Sequence, residues 1–208
     1  HADGTLATFK DGRNHVTALS SWYRGVPRLI QYPDGTSVAA TVNPTGTIAS
    51  TTDENGFKTC YAYDAMGRLA QLTHPSETQA GVCDTSAWNP TTQAFLQVGA
   101  TEYGIGAGHW RQTVTTGNGV KIQYFDALWR PLVVREYDAG NVPGTQRFTR
   151  LAYDHDGRTT FAAYPSTASG ATAGVTTTYD GIGRVTSVVQ HSELGYLTTT
   201  TAYPATAF

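Results

Sequence analysis

The sequence predicts an all-β protein of consecutive antiparallel hairpins, and three observations carry that prediction. A six-residue motif, YDxxGR, recurs along the chain. The stretches between its copies are rich in Thr, Val and Tyr, residues that pack well on a pleated surface and lose side-chain freedom in a helix. Charged residues make up 14% of the 208 residues while Gly numbers 22, against a usual charged share of about 25%. Such a composition favours strands and turns.

The repeat comes first, because a fixed period decides architecture before any single motif does. YDAMGR runs from Tyr63 through Asp64 and Gly67 to Arg68; YDHDGR from Tyr153 through Asp154 and Gly157 to Arg158; YDGIGR from Tyr179 through Asp180 and Gly183 to Arg184. Degenerate copies occupy the same frame at Tyr23–Arg28 (YRGVPR), Val42–Thr47 (VNPTGT) and Phe125–Arg130 (FDALWR). Successive starts lie 19, 21, 62, 28 and 26 residues apart, a unit near twenty residues with one long interruption.

Between these copies stand second turn signals: Asp11-Gly12-Arg13-Asn14, Asp34-Gly35, Asp53-Glu54-Asn55-Gly56, Gly117-Asn118-Gly119 and Asp138-Ala139-Gly140-Asn141. Each unit therefore has two turns and two strands. The clearest hairpin joins residues 111–116 to 120–125 across Gly117-Asn118-Gly119, with Val120, Ile122 and Tyr124 on one face by strand alternation. Within the motif, Asp is placed to accept backbone N–H bonds as the turn opens, and Gly to supply positive φ near its end. Tyr and Arg flank the turn, where a guanidinium covers a ring. Arg outnumbers Lys eleven to three, a bias suited to planar stacking.

The organisation expected is one continuous repeat domain: hairpins over 1–73, an insertion over 74–98, and hairpins again over 99–208. The insertion carries Pro75, Cys83, Trp88 and Pro90. Its Trp88, Phe95 and Leu96 call for burial, as a cap over a sheet face or as a partner-contact loop.

These motifs carry a resemblance. YDxxGR at three positions, its degenerate copies and the DxNG-like second turns resemble the RHS/YD-repeat family over about residues 5–203. The family includes bacterial Rhs proteins, the cocoon of insecticidal toxin complexes and the teneurin barrel. The resemblance implies a twisted, curved sheet forming one sector of a β-shell or barrel spiral. It also implies a non-enzymatic wall that encloses a C-terminal toxin or effector, secreted or displayed at a bacterial cell surface. Its partners are then the rest of its own parent shell and the enclosed cargo. Many such shells end in an aspartyl self-cleavage region with DPxG motifs; here the nearest string is Asn43-Pro44-Thr45-Gly46, with Asn at the acid's place, so that activity is not carried over.

Other chemistries lack their constellations. Net charge is −2 with a pI near 6.3, so no one-signed field draws nucleic acid or anionic lipid. No apolar run approaches the roughly 18 residues of a spanning helix, and membrane insertion is not expected. The start, His1-Ala2-Asp3-Gly4, lacks a signal pattern and reads as a cut or processing boundary. Gly104-Ile105-Gly106-Ala107-Gly108 has phosphate-loop spacing, without a following helix pattern or a Lys-Ser/Thr pair. The histidines stand singly, with no HxH or HExxH. Asp64, Asp154 and Asp180 already serve a turn, and Asp154 with Asp156 lies in one, so no paired-carboxylate catalyst is expected. Neither catalytic residues nor cofactors nor metals are therefore assigned. Cys60 and Cys83 lack metal-ligand spacing, which leaves a disulfide or two free thiols open.

Four Trp, twelve Tyr and seven Phe leave room for a second reading, a carbohydrate- or cell-surface-binding β module. Exposed rings stack on flat sugar faces, whereas Tyr at a fixed repeat position packs across strands. A module of that kind requires one localised cluster of exposed aromatics with polar neighbours. Open edges at the first and last strands also predict self-association of the isolated chain.

Overall fold

The computed structural model describes residues 1–204; the end of the 99–208 repeat stretch lies outside the described residues. Strands form where β-branched and aromatic residues run between the turn signals. They are β1 (Thr8–Lys10), β2 (Val16–Ser20), β3 (Leu29–Gln31), β4 (Ser37–Val42), β5 (Ile48–Thr52), β6 (Lys58–Tyr63), β7 (Leu69–Thr73) and β8 (Thr91–Gln97). There follow β9 (Trp110–Thr116), β10 (Gly119–Phe125), β11 (Pro131–Asp138), β12 (Arg147–Tyr153), β13 (Thr159–Ala163), β14 (Gly174–Tyr179), β15 (Val185–Ser192) and β16 (Gly195–Thr200). Hydrogen-bonded strand order is the chain order from β1 to β16. The fold is all-β, made of consecutive antiparallel hairpins. Among the described residues the helix is one turn, α1 (Val142–Thr145), where Asn141 accepts the Gly144 N–H at 3.2 Å.

Strand alternation sends successive turns to opposite ends of the strands. The YDxxGR copies close β6–β7, β12–β13 and β14–β15, and Val42–Thr47 and Phe125–Arg130 close β4–β5 and β10–β11. All therefore sit at one end of their strands. The second turn signals close β1–β2, β3–β4, β5–β6, β9–β10 and β11–β12 at the other end.

The chain forms two compact units, His1–Gln93 and Ala94–Phe208. In the first, the buried residues are polar: Thr17, Ser50 and Ser76. Cross-strand hydroxyl pairs tie it, Thr41 to Ser50 at 2.7 Å and Thr51 to Tyr61 at 3.1 Å. In the second unit Ile105, Ile122, Tyr124, Val133 and Phe148 form a hydrophobic core. Tyr103 packs its ring 5.1 Å from that of Tyr124 and 5.2 Å from that of Phe148. The alternation of Val120, Ile122 and Tyr124 thus points a whole face at this core, with Val120 packed at its margin.

Two expectations need correction. Tyr23–Arg28 does not form the five-residue motif turn: Tyr23 and Val26 exchange both backbone bonds at 3.0 Å around Arg24 (φ 51) and Gly25 (φ 81). Two central residues at positive φ make a tight hairpin turn, and no Asp is present to hold the wider one. Second, Trp88 and Leu96 are not buried; they are 48% and 52% exposed. Their segment is tethered by other means. Pro75 bridges Cys83, the Ser76 N–H donates to the Val82 carbonyl at 2.8 Å, and a Cys60–Cys83 disulfide fastens it to β6. Residues 91–97 of the stretch form β8, paired with β7.

Candidate functional site

The repeated turn is the chemical unit of this chain. In each copy the opening residue donates its N–H to the carbonyl four residues on, and the residue three on donates back to the opener. This pair of bonds recurs with openers Asp11, Tyr32, Asn43, Asp53, Asp64, Asp126, Asp154 and Asp180, at 2.8–3.1 Å. Residues 1–5 repeat it: the His1 amino group donates to the Thr5 carbonyl, and Gly4 N–H to the His1 carbonyl. The residue three on has positive φ, as at Gly67 (76), Gly157 (83) and Gly183 (88). An L side chain there meets its own carbonyl, so glycine is the unstrained choice.

The Asp side chain completes the turn by splitting its two oxygens between tasks. Asp154 Oδ1 accepts the N–H groups of Asp156 and Arg158 at 3.0 and 2.9 Å, while Oδ2 accepts Arg158 Nε at 2.7 Å. Asp64 with Arg68, Asp126 with Arg130 and Asp180 with Arg184 do the same. At Asp64 and Asp180 the backbone N–H of the partner Arg, aided by its guanidinium, holds the carboxyl below the usual range. At Asp126 and Asp154 burial opposes the shift, yet the bonds from Arg130 and Arg158 prevail and the carboxyls again lie low.

The rings meet the guanidiniums in a different way from the one expected. Arg28 covers Tyr23 of its own degenerate copy at 5.6 Å, whereas Arg130, Arg158 and Arg184 each cover a Tyr farther along the chain and not their own motif's ring. Arg130 lies 4.8 Å from the Tyr153 ring centre, Arg158 5.0 Å from that of Tyr179, and Arg184 4.1 Å from that of Tyr203. The covered Tyr then donates its hydroxyl to the carbonyl just after that Arg: Tyr153 to Pro131, Tyr179 to Thr159 and Tyr203 to Val185, at 2.9–3.1 Å. In the first unit Tyr63 reaches the Ile48 carbonyl at 2.8 Å, and Trp22 Nε1 serves in the same way to the Leu6 carbonyl at 3.0 Å. The result is a ladder joining turns at one end of the strands. An irregular register falls immediately before each such turn, at Val42, Tyr63, Phe125, Tyr153 and Tyr179. A bulge of this kind re-aims the side chain that carries it. Burial pushes the Tyr153 hydroxyl above its usual value.

The Asp, Gly and Arg of the three YDxxGR copies sit in the turns, where Asp and Arg meet within one copy, while Tyr63, Tyr153 and Tyr179 end the preceding strands and reach back to an earlier turn. Trp22 and Tyr203 are ladder members that motif spacing alone did not single out. Tyr203 lies 24 residues beyond Tyr179, a spacing that marks it once the rung is known.

The remaining candidates are structural. Gly104 and Gly108 have positive φ, and Glu102 and Ile105 exchange backbone bonds around Tyr103-Gly104; the glycine-rich string makes a hairpin turn leading into a strand. His109 is buried beside it, with Nδ1 2.9 Å from the Gly106 carbonyl and Nε2 3.2 Å from Glu102, which also accepts from Arg111 at 2.8 Å. Asp156 is held by Arg158 at 2.6 Å. Among the described residues no group of three His, Cys, Asp or Glu side chains is placed to hold a metal. Among the described residues no helix is long and apolar enough to cross a membrane.

Comparison with known proteins agrees with the motif. The RHS Repeat family matches residues 42–79, the stretch holding the turns opened by Asn43, Asp53 and Asp64. No curated protein sequence matches. Among solved structures, one chain of TcdB2-TccC3-Cdc42 superposes with a TM-score of 0.59 at 16% identity, covering 85% of this chain and 9% of its own length. A chain of TcdB2-TccC3 gives 0.57 at 16%, covering 84% and 11%. At that identity the likeness concerns the fold, and this chain spans about a tenth of those proteins. Residues 42–79 thus match the RHS Repeat family, and the chain carries YDxxGR motifs on a fold similar to that of the TcdB2-TccC3 proteins.

Proposed function

We propose that this chain is a non-enzymatic wall segment of a larger RHS-repeat protein, enclosing a C-terminal toxin or effector. The observation that carries the reading is the ladder. It uses the motif's Tyr and Arg to bind one hairpin pair to the next, while Asp holds its own turn, which is what a continuous wall requires. Every motif acid is engaged by its own turn, leaving it unsuited to catalysis. The partners of such a segment are neighbouring repeats, paired along the edges of β1 and β16, and the cargo behind the wall. An isolated segment then self-associates through those edges, which sedimentation velocity over a concentration series would register as a rising mass. The Cys60–Cys83 disulfide supports a secreted or cell-surface location for the bacterial parent, since disulfides persist outside the reducing cytosol.

Limited proteolysis of the full-length parent tests the enclosure. The C-terminal segment should survive in the intact protein and be digested rapidly once residues 1–208 are deleted. Equal digestion of both proteins would reject the wall.

A further inference from the structure

The segment that interrupts the repeat is fastened to the sheet by one covalent bond and little else. Residues 74–90 leave β7 and return as β8. Among the described residues a single hydrogen bond ties this segment to another element, from the Gly81 N–H to the Gly56 carbonyl at 3.1 Å. Its other bonds close on itself. The Ser76 N–H reaches the Val82 carbonyl at 2.8 Å, Ser76 Oγ accepts the N–H groups of Thr78 and Gln79 at 3.3 Å, and Asp84 Oδ1 accepts the Ser86 N–H at 3.0 Å. Apolar burial adds little: Val82 and Trp88 are exposed, and the buried side chain of the segment is polar, Ser76.

The sheet beneath is complete without that bond. Cys60 is in register with Ser50 on one side and with Thr73 on the other, so β6 is paired along both edges. A disulfide that joins a complete ladder to a weakly held segment is separable. Breaking it removes the segment's main anchor and leaves the strands their own hydrogen bonds. Cys83 is also within reach of a soluble thiol, being partly exposed next to the exposed Gly81 and Val82. Its release would open the face of β5 and β6 on which Cys60 and the buried Ser50 lie side by side.

We propose that the Cys60–Cys83 disulfide is a redox latch: oxidised, it holds residues 74–90 against β6, and a thiol reductant of the kind that fills a reducing cytosol releases them. The step is a thiol–disulfide exchange. A reductant thiolate attacks Cys83 Sγ, the bond between the two cysteines breaks, and Cys60 leaves as a thiolate. A second reductant thiol then takes the first from Cys83. The reductant ends as a disulfide, and Cys60 and Cys83 end as thiols carrying its two protons. Such a latch distinguishes an oxidising exterior from a reducing interior. It goes beyond the wall reading and does not depend on it, because neither cysteine takes part in the ladder.

The test exposes the oxidised 208-residue chain to about 10 mM reduced glutathione, counts its thiols by alkylation and mass, and follows amide hydrogen exchange by NMR. Cys60 and Cys83 should both become alkylated. The Ser76 and Gly81 amides should then exchange at least about tenfold faster, while the amides of β5 and β6 keep their rates. The chain carrying both Cys60→Ser and Cys83→Ser should show the fast pattern without reductant and no response to it. A disulfide that survives glutathione overturns the latch, as do unchanged rates at Ser76 and Gly81 in the reduced chain. Equal acceleration through β5 and β6 also overturns it, since the bond would then be a staple of the sheet itself.

Discussion

A carboxylate with two oxygens and a glycine without a side chain account for the turn that repeats through this chain. Asp180 Oδ1 gathers the N–H groups of Ile182 and Arg184, Oδ2 holds Arg184 Nε, and Gly183 takes φ 88 between them. The glycines are not equivalent when a methyl is added. At Gly157 a Cβ would sit 3.8 Å from Arg130 Nη1, an ordinary contact, whereas at Gly183 it would sit 2.9 Å from Arg158 Nη1. Arg158 is already engaged by Asp154 and Asp156, so its yielding breaks other bonds. Gly157→Ala should cost about 1 kcal/mol from backbone strain alone, and Gly183→Ala measurably more. Paired urea titrations of the two variants check the order.

At the scale of the hairpin, the rung between motifs matters more than the pairing within one. A guanidinium over a half-exposed ring contributes about 0.5–1 kcal/mol, and the hydroxyl-to-carbonyl bond a further ~1 kcal/mol. A double-mutant cycle on Arg158→Ala and Tyr179→Ala should therefore return a coupling of about 0.5–1 kcal/mol. The same cycle on Arg158 with Tyr153, its own motif's ring, should return a clearly smaller value. Equal couplings would place the ring contact inside the motif, contrary to the ladder. The Asp154–Arg158 ion pair also feels the first substitution, which is why the cycle and not the single variant is the measurement.

For the whole molecule, the repetition of one turn makes a local pKa shift collective. Asp64, Asp126, Asp154 and Asp180 all have carboxyls held below their ordinary value in the fold. Their unfolded value is about 3.9. Groups with depressed folded values stabilise the protein fully above the unfolded value and cease to do so as pH falls through the folded ones. Stability should thus be flat with respect to these groups near neutrality and fall progressively below about pH 4. Thermal melts across that range check it, and Asp154→Asn should flatten part of the slope. A melting temperature indifferent to pH between about 5 and 2 would contradict the assignment.

The sequence by itself determined the strands, the turns and the alternation of the two turn classes, because each rests on residues no more than about five apart. Asp154 needs only Asp156, Gly157 and Arg158 to build its turn, and Val120, Ile122 and Tyr124 need only the two-residue period of a strand to face one way. The tertiary structure decided what depends on register between strands. Arg158 and Tyr179 are brought together by the length of β13 and β14 and by the bulge before Asp180, none of which a motif specifies. The same holds for Cys60 meeting Cys83, for the two-residue turn that replaced the expected copy at Tyr23, and for the exposure of Trp88. Trp129 is the clearest case. Its motif position calls for glycine, and only the packing of Trp110, Phe125 and Phe95 beneath it explains how an indole is held there.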